Sequence, residues 1–85
     1  MKVFVVFDAY VDGYQVNDRM AELESISGVN SARALERTAG EVPRYLLEID
    51  MEDEYAQETG QKLKAALGQY SSYMSNVAWG AYKKI

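Results

Sequence analysis

Arg44-Tyr45-Leu46-Leu47-Glu48-Ile49-Asp50-Met51 is the stretch on which the fold turns. Tyr45, Leu47, Ile49 and Met51 alternate with Arg44, Leu46, Glu48 and Asp50, the period of two that marks a strand with one buried face. Working outward, Val3 to Tyr10 is β-branched and aromatic on both parities. It reads as a central strand buried on both faces and is punctuated by Asp12-Gly13. Val16, Met20 and Leu23, with Ile26 close behind, fall at helical spacing. They predict a helix of roughly three turns, N-capped at Asn17 or Asp18 and ended by Gly28. Val29 to Thr38 carries no helical stripe and reads as a strand, joined to the next by the hairpin-like Thr38-Ala39-Gly40-Glu41-Val42-Pro43.

Beyond Met51, Glu52-Asp53-Glu54 places negative charge where a helix N-terminus favours it. Tyr55 or Ala56, Thr59, Leu63, Ala66, Leu67 and Tyr70 then continue one helical face. Gly60 and Gly68 sit inside this helix at a cost of about 1 kcal/mol each relative to alanine. They are either tolerated defects or points where a backbone or ligand comes close. Ser71-Ser72 and Ser75-Asn76 bracket a loop, and Val77 to Ile85 closes the chain as a strand.

The order is β-α-β-β-α-β, which predicts one α+β domain over residues 1–85: a ferredoxin-like four-stranded antiparallel sheet with both helices on one face. The apolar set Tyr45, Leu47, Ile49 and Met51 should turn toward the helices. Arg33, Leu35 and Arg37 would then face outward with Leu46, Glu48 and Asp50, and so would Asp8. A leucine-bearing face with both charge signs suits pairing with a second copy, Arg33, Arg37 or Arg44 meeting the carboxylates across a two-fold axis. A merely solvated charged face is the alternative.

Composition narrows the chemistry. The 85 residues contain no cysteine and no histidine, and the net charge is −4. A chain this short buries only about 60% of its unfolded surface, and small domains compensate with disulfides, a metal or oligomerisation. Without Cys and His the first remedy is gone and transition-metal sites nearly so, which leaves oligomerisation. Triad-type nucleophiles, zinc hydrolysis and thiol redox are excluded as well. No cofactor and no metal are expected. The acidic balance argues against nucleic acid. No apolar run approaches a membrane span, and Met1-Lys2 leads straight into a strand, so a cytoplasmic protein without membrane partners is expected.

At Gly28-Val29-Asn30-Ser31-Ala32-Arg33, and again at Pro43-Arg44-Tyr45-Leu46, the sequence resembles EthD-like proteins of the dimeric α+β barrel superfamily. The resemblance covers nearly the whole chain in element order. It implies homodimers whose two sheets pack into a barrel, with a pocket between each sheet and its own helices. Members of that superfamily include cofactor-free oxygenases, polyketide cyclases and proteins without assigned activity. One departure stands out. Such relatives commonly carry a histidine on the first helix, nine residues before the turn glycine, and Arg19 stands there in this chain. A guanidinium stays protonated and cannot act as a base. Inside a pocket it would hold an enolate, phenolate or carboxylate oxygen. On the surface it would pair with Glu22 or Glu24, and helix-face arithmetic sets it beside the Met20 stripe.

Seven tyrosines supply most of the aromatic content. Tyr45 and Tyr70 are the two expected at a pocket mouth, where a hydroxyl beside Arg19 would stabilise an oxyanion or relay a proton. Arg19, Tyr45 and Tyr70 are therefore the catalytic candidates; most tyrosines will simply be core rings with wet tips. Val5, Phe7, Leu23, Leu47, Leu67 and Trp79 are the candidate ligand-binding residues. Trp79 is either a stacking platform or, as expected, the largest plug of the core. The resulting expectation is a small homodimer with an apolar, tyrosine-lined pocket for an aromatic or polyketide-like molecule. Cofactor-free cyclisation, isomerisation or monooxygenase-like oxygenation would be its chemistry. The alternatives are a non-catalytic ligand-binding or accessory dimer lacking the family's histidine, and a regulatory ferredoxin-like domain.

Overall fold

A computed structural model describes residues 1–54 and 56–85. Tyr55, a candidate for the second helical face, lies outside the described residues. Four strands form one antiparallel sheet in the order β2-β3-β1-β4. They are β1 (Lys2–Ala9), β2 (Val29–Glu36), β3 (Tyr45–Met51) and β4 (Met74–Tyr82), and α1 (Gly13–Asp18), α2 (Met20–Glu24) and α3 (Ala56–Gly68) supply the helical layer. The ferredoxin-like α+β arrangement expected from the element order is present.

β3 behaves as its alternation dictates: Tyr45, Leu47, Ile49 and Met51 are buried while Leu46, Glu48 and Asp50 are half-buried on the other face. Antiparallel register carries the pattern into β1, where Val3, Val5 and Phe7 pair with Ile49, Leu47 and Tyr45. These residues form one core with Val16, Met20 and Leu23 from the first helical segment, Ala32 from β2 and Leu63 from α3. Burying each large aliphatic side chain contributes about 1.5–3 kcal/mol. β1 is central as expected, yet its second face is only half-buried at Phe4 and Val6.

Two expectations need correction at the first helix. It is not continuous: α1 ends at Asp18 and α2 begins at Met20, with the Arg19 N–H bonded to the Val16 carbonyl three residues back at 3.1 Å. That tight 3₁₀-type closure breaks the α-helical ladder. Nor do Asn17 and Asp18 cap it. Asp12 does, accepting from the Gln15 N–H at 2.9 Å while Gln15 Oε1 accepts from the Asp12 N–H at 3.2 Å. The reciprocal pair is a capping box, and Asp-x-x-Gln was its signature in the sequence.

Strand ends also move. β2 stops at Glu36, and the closing strand starts at Met74 after a 3₁₀ turn at Ser71–Tyr73, so the expected loop at Ser75-Asn76 lies inside β4. Asn76 there adopts φ +54° where the β1–β4 register shifts. Gly28 does not end the first helical region, which stops at Glu24 with Ser25 as its C-cap; at φ +96° it turns the chain into β2, and its missing Cβ lets the Thr59 side chain of α3 approach. Thr59 Oγ1 donates to the Ser27 carbonyl at 3.4 Å, so the N-terminal half of α3 is tied to the turn before β2.

Charged side chains of the sheet pair within the chain. On the uncovered face Glu48 binds Lys2 and Arg33 of its own chain, while on the helix side Glu36, opposite Tyr45 and beside Gly13 of α1, binds Arg44 at 2.7 Å. Asp8 accepts from the Arg44 N–H at 2.8 Å and from Asn76 Nδ2 at 3.1 Å, bridging β3 to the irregular point in β4. Within one chain Arg33 and Arg44 have carboxylate partners, and Arg37 donates to the Val42 carbonyl. Among the described residues no helix is long and apolar enough to cross a membrane.

Candidate functional site

The break at Arg19 positions the site. Because α1 and α2 are not one rod, the guanidinium at their junction sits over the Tyr70 ring at 5.0 Å, a cation–π distance. The side chain is exposed, as helix-face arithmetic expects, and its neighbour there is the Tyr70 ring, with no ion pair to Glu22 or Glu24. Tyr70 follows the end of α3, and its hydroxyl donates to a Glu22 carboxylate oxygen. Three elements therefore converge: the α1–α2 junction, α2 itself and the turn after α3.

Beneath this cluster lies a cleft of about 400 Å³. Phe7, Leu23, Leu47 and Leu67 line it together with Arg19 and Tyr70, and Gln15, Gln69, Tyr73 and Met74 complete the rim. The volume lies within the range of small-molecule sites, and an apolar floor with a few convergent polar groups is their usual build. Six of the nine sequence candidates are brought together here.

The other three go elsewhere. Tyr45 does not reach the cleft. It is 1% exposed, its ring tilts against Phe7 at 5.5 Å, and its hydroxyl donates to the Val11 carbonyl at 2.7 Å. Burial pushes its phenol above the usual value, with the Arg44 guanidinium 4.9 Å from the ring opposing. Its role is to anchor the chain after β1. Val5 and Trp79 line a second groove, of about 270 Å³, between α3 and β4. Trp79 is not a core plug: it is 52% exposed, with Lys64 Nζ 4.0 Å above its ring. It lies on an edge strand beside an open groove, so no second surface closes over it.

The electrostatics of the cleft are set by Tyr70. Its hydrogen bond to Glu22 raises the phenol above its ordinary value, burial adds to this, and the neighbouring Arg19 pulls the other way. Tyr70 is accordingly neutral near pH 7, with its proton directed at a carboxylate. Its oxygen lone pairs are left to accept from a ligand hydroxyl. From the sequence, Glu22 is expected only as a surface partner for Arg19. Its spacing of three residues from Arg19 puts the two on one helical face, and that was the available signal. Tyr70 beside Arg19 is one of the two tyrosine placements expected from the sequence, whereas its bond to Glu22, forty-eight residues away, has no local signal. Among the described residues no group of three or more acidic, Cys or His side chains forms a metal-binding set.

No protein-family model, curated protein or solved structure matches this chain.

Proposed function

We propose that this protein binds a phenolic or enolic aromatic molecule, of the polyketide-like class, in the cleft beneath Arg19 and Tyr70, and moves a proton there without a cofactor. The observation that carries this reading is the joining of Arg19, Tyr70 and Glu22 over an apolar floor. A ligand hydroxyl at the rim donates its proton to Tyr70 Oη as the Tyr70 proton passes to Glu22. The oxyanion left on the ligand faces Arg19, whose permanent charge stabilises it. An enolate or phenolate held in this way is the common first stage of cyclisation, isomerisation and cofactor-free oxygenation. The resemblance to EthD-like proteins supports the same class.

Binding without turnover is the second reading, and it rests on Arg19 standing where such relatives carry histidine. In either case we infer a homodimer closed across the uncovered sheet face. Phe4, Val6 and Leu46 are half-buried there, and Leu35 is 45% exposed opposite Leu46.

4-Nitrophenol tests the site, because its ionised form absorbs at longer wavelength. Bound to the protein it should ionise at lower pH than in solution, and Arg19→Ala should abolish that displacement. Tyr70→Phe and Glu22→Gln should slow proton exchange on an enolisable ligand by about 10²–10⁴-fold, the usual worth of a positioned acid–base group. An unchanged ionisation in the Arg19→Ala protein would sink the oxyanion role. A monomer at micromolar concentration, by mass measurement in solution, would sink the dimer.

A further inference from the structure

The cleft and the second groove lie on either side of the C-terminal end of α3, and they share two wall residues, Leu67 of α3 and Met74 at the start of β4. Both are only half-buried. Beyond them the groove is lined by Val3, Val5, Leu63, Val77 and Trp79, with Lys64 and Ser71 its only polar residues among those described. Gly60 and Gly68 also border it, and a Cβ on either would meet nothing within 4 Å. These glycines therefore do not admit a neighbouring element of the chain. They widen a groove that the chain itself leaves open.

We propose that the two spaces form one binding site in two compartments, divided by Leu67 and Met74, and that its ligand is an elongated amphiphile. Such a ligand has a phenolic or enolic oxygen at the Arg19–Tyr70 end and an apolar body long enough to pass the divider and lie along Trp79. This rests on the function proposed above and specifies the substrate class of the same site. A methionine side chain is unbranched and adapts to irregular neighbours, which suits it to a divider that parts around a ligand. The far compartment offers apolar walls and a cation–π-capped ring, so it selects length and hydrophobicity and supplies little hydrogen bonding.

Calorimetric titration of the full chain with 4-ethylphenol, 4-pentylphenol and 4-heptylphenol, each below its aggregation limit, reads this out. Affinity should rise about three- to fourfold for each methylene that enters the apolar compartment. Gly60→Phe fills that compartment from a helix position that needs no unusual backbone angle. It should hold the ethylphenol affinity and flatten the rise, while Gly60→Ala should keep the rise intact. A thermal melt of each variant verifies folding. If heptylphenol binds no tighter than ethylphenol, or if Gly60→Phe leaves the rise unchanged, the two-compartment site is overturned while the first cleft stands. If no phenol of any length binds, the proposed function fails and this inference with it.

Discussion

β3 and β4 are both strands of one sheet beneath the same helical layer, yet their helix-facing sides have opposite fates. β3 buries every second residue, whereas β4 buries none. β3 lies between β1 and β2 and is covered by the first helical segment, so its alternation finds a core on one side. β4 is an edge strand, as β2 is, and above it α3 buries only Thr59 and Leu63 of its thirteen residues. The same period of two makes a core in one place and a groove wall in the other. What differs is whether a second apolar surface closes on it.

Truncation should break this comparison most visibly. Ile49→Ala removes a fully buried side chain and should cost about 2–5 kcal/mol. Trp79→Ala, on the half-exposed strand, should cost about 1 kcal/mol, well below the usual value for a core tryptophan. Urea unfolding of both variants measures the difference, and equal losses would mean that β4 is as enclosed as β3. Next in size is the tether that holds the N-terminal half of α3 down. Gly28→Ala must place a Cβ at positive φ against Thr59, which should destabilise by about 2 kcal/mol or more. A midpoint within error of the parent would show that α3 docks without this contact.

The opposite sign is expected at the standing-off side of α3. Gly60→Ala should stabilise by about 0.5–1 kcal/mol, because it adds helix propensity without a clash. Loss of stability there would mean that the groove is closer to its walls than its geometry implies.

The smallest effects are electrostatic and lie on the uncovered face and at the cleft. Hydrogen bonds from Lys2 and Arg33 hold Glu48 below the usual carboxylate range, and the Arg44 N–H and Asn76 do the same for Asp8. With the folded pKa depressed, their contribution is complete above the unfolded value of about 4 and is lost as pH falls through the folded one. Glu48→Gln should therefore reduce the slope of stability against pH below about 4, read from urea midpoints across that range. Tyr70 runs the other way. Its raised phenol gives a contribution that is complete below about pH 10 and lost as pH rises through the folded value, a dependence Tyr70→Phe should remove.

Much of this architecture was legible because periodicity is local. Tyr45 to Met51 announced its buried face, and the order of elements announced the sheet. The capping box at Asp12 and Gln15 was legible too, but the helix was read from its apolar stripe, which begins four residues later. Hidden were the break at Arg19 and the fate of Trp79. A hydrophobic stripe does not reveal where a short 3₁₀ closure interrupts it, and an aromatic residue in an alternating strand reads the same beside a core or beside a groove.

By itself the sequence determined the α+β order, the helix-facing set on β3 and the absence of histidine and thiol chemistry, since each follows from residue identity or from neighbours a few positions apart. The tertiary structure alone decided that Arg19, Glu22 and Tyr70 meet, that Tyr45 turns its hydroxyl to Val11, and that Leu67 and Met74 stand between two open spaces. Those outcomes depend on how far α3 stands from the sheet and where the first helix breaks. The first is set by packing between segments distant in the chain, and the second by a 3₁₀ closure at Arg19 that the apolar stripe does not show.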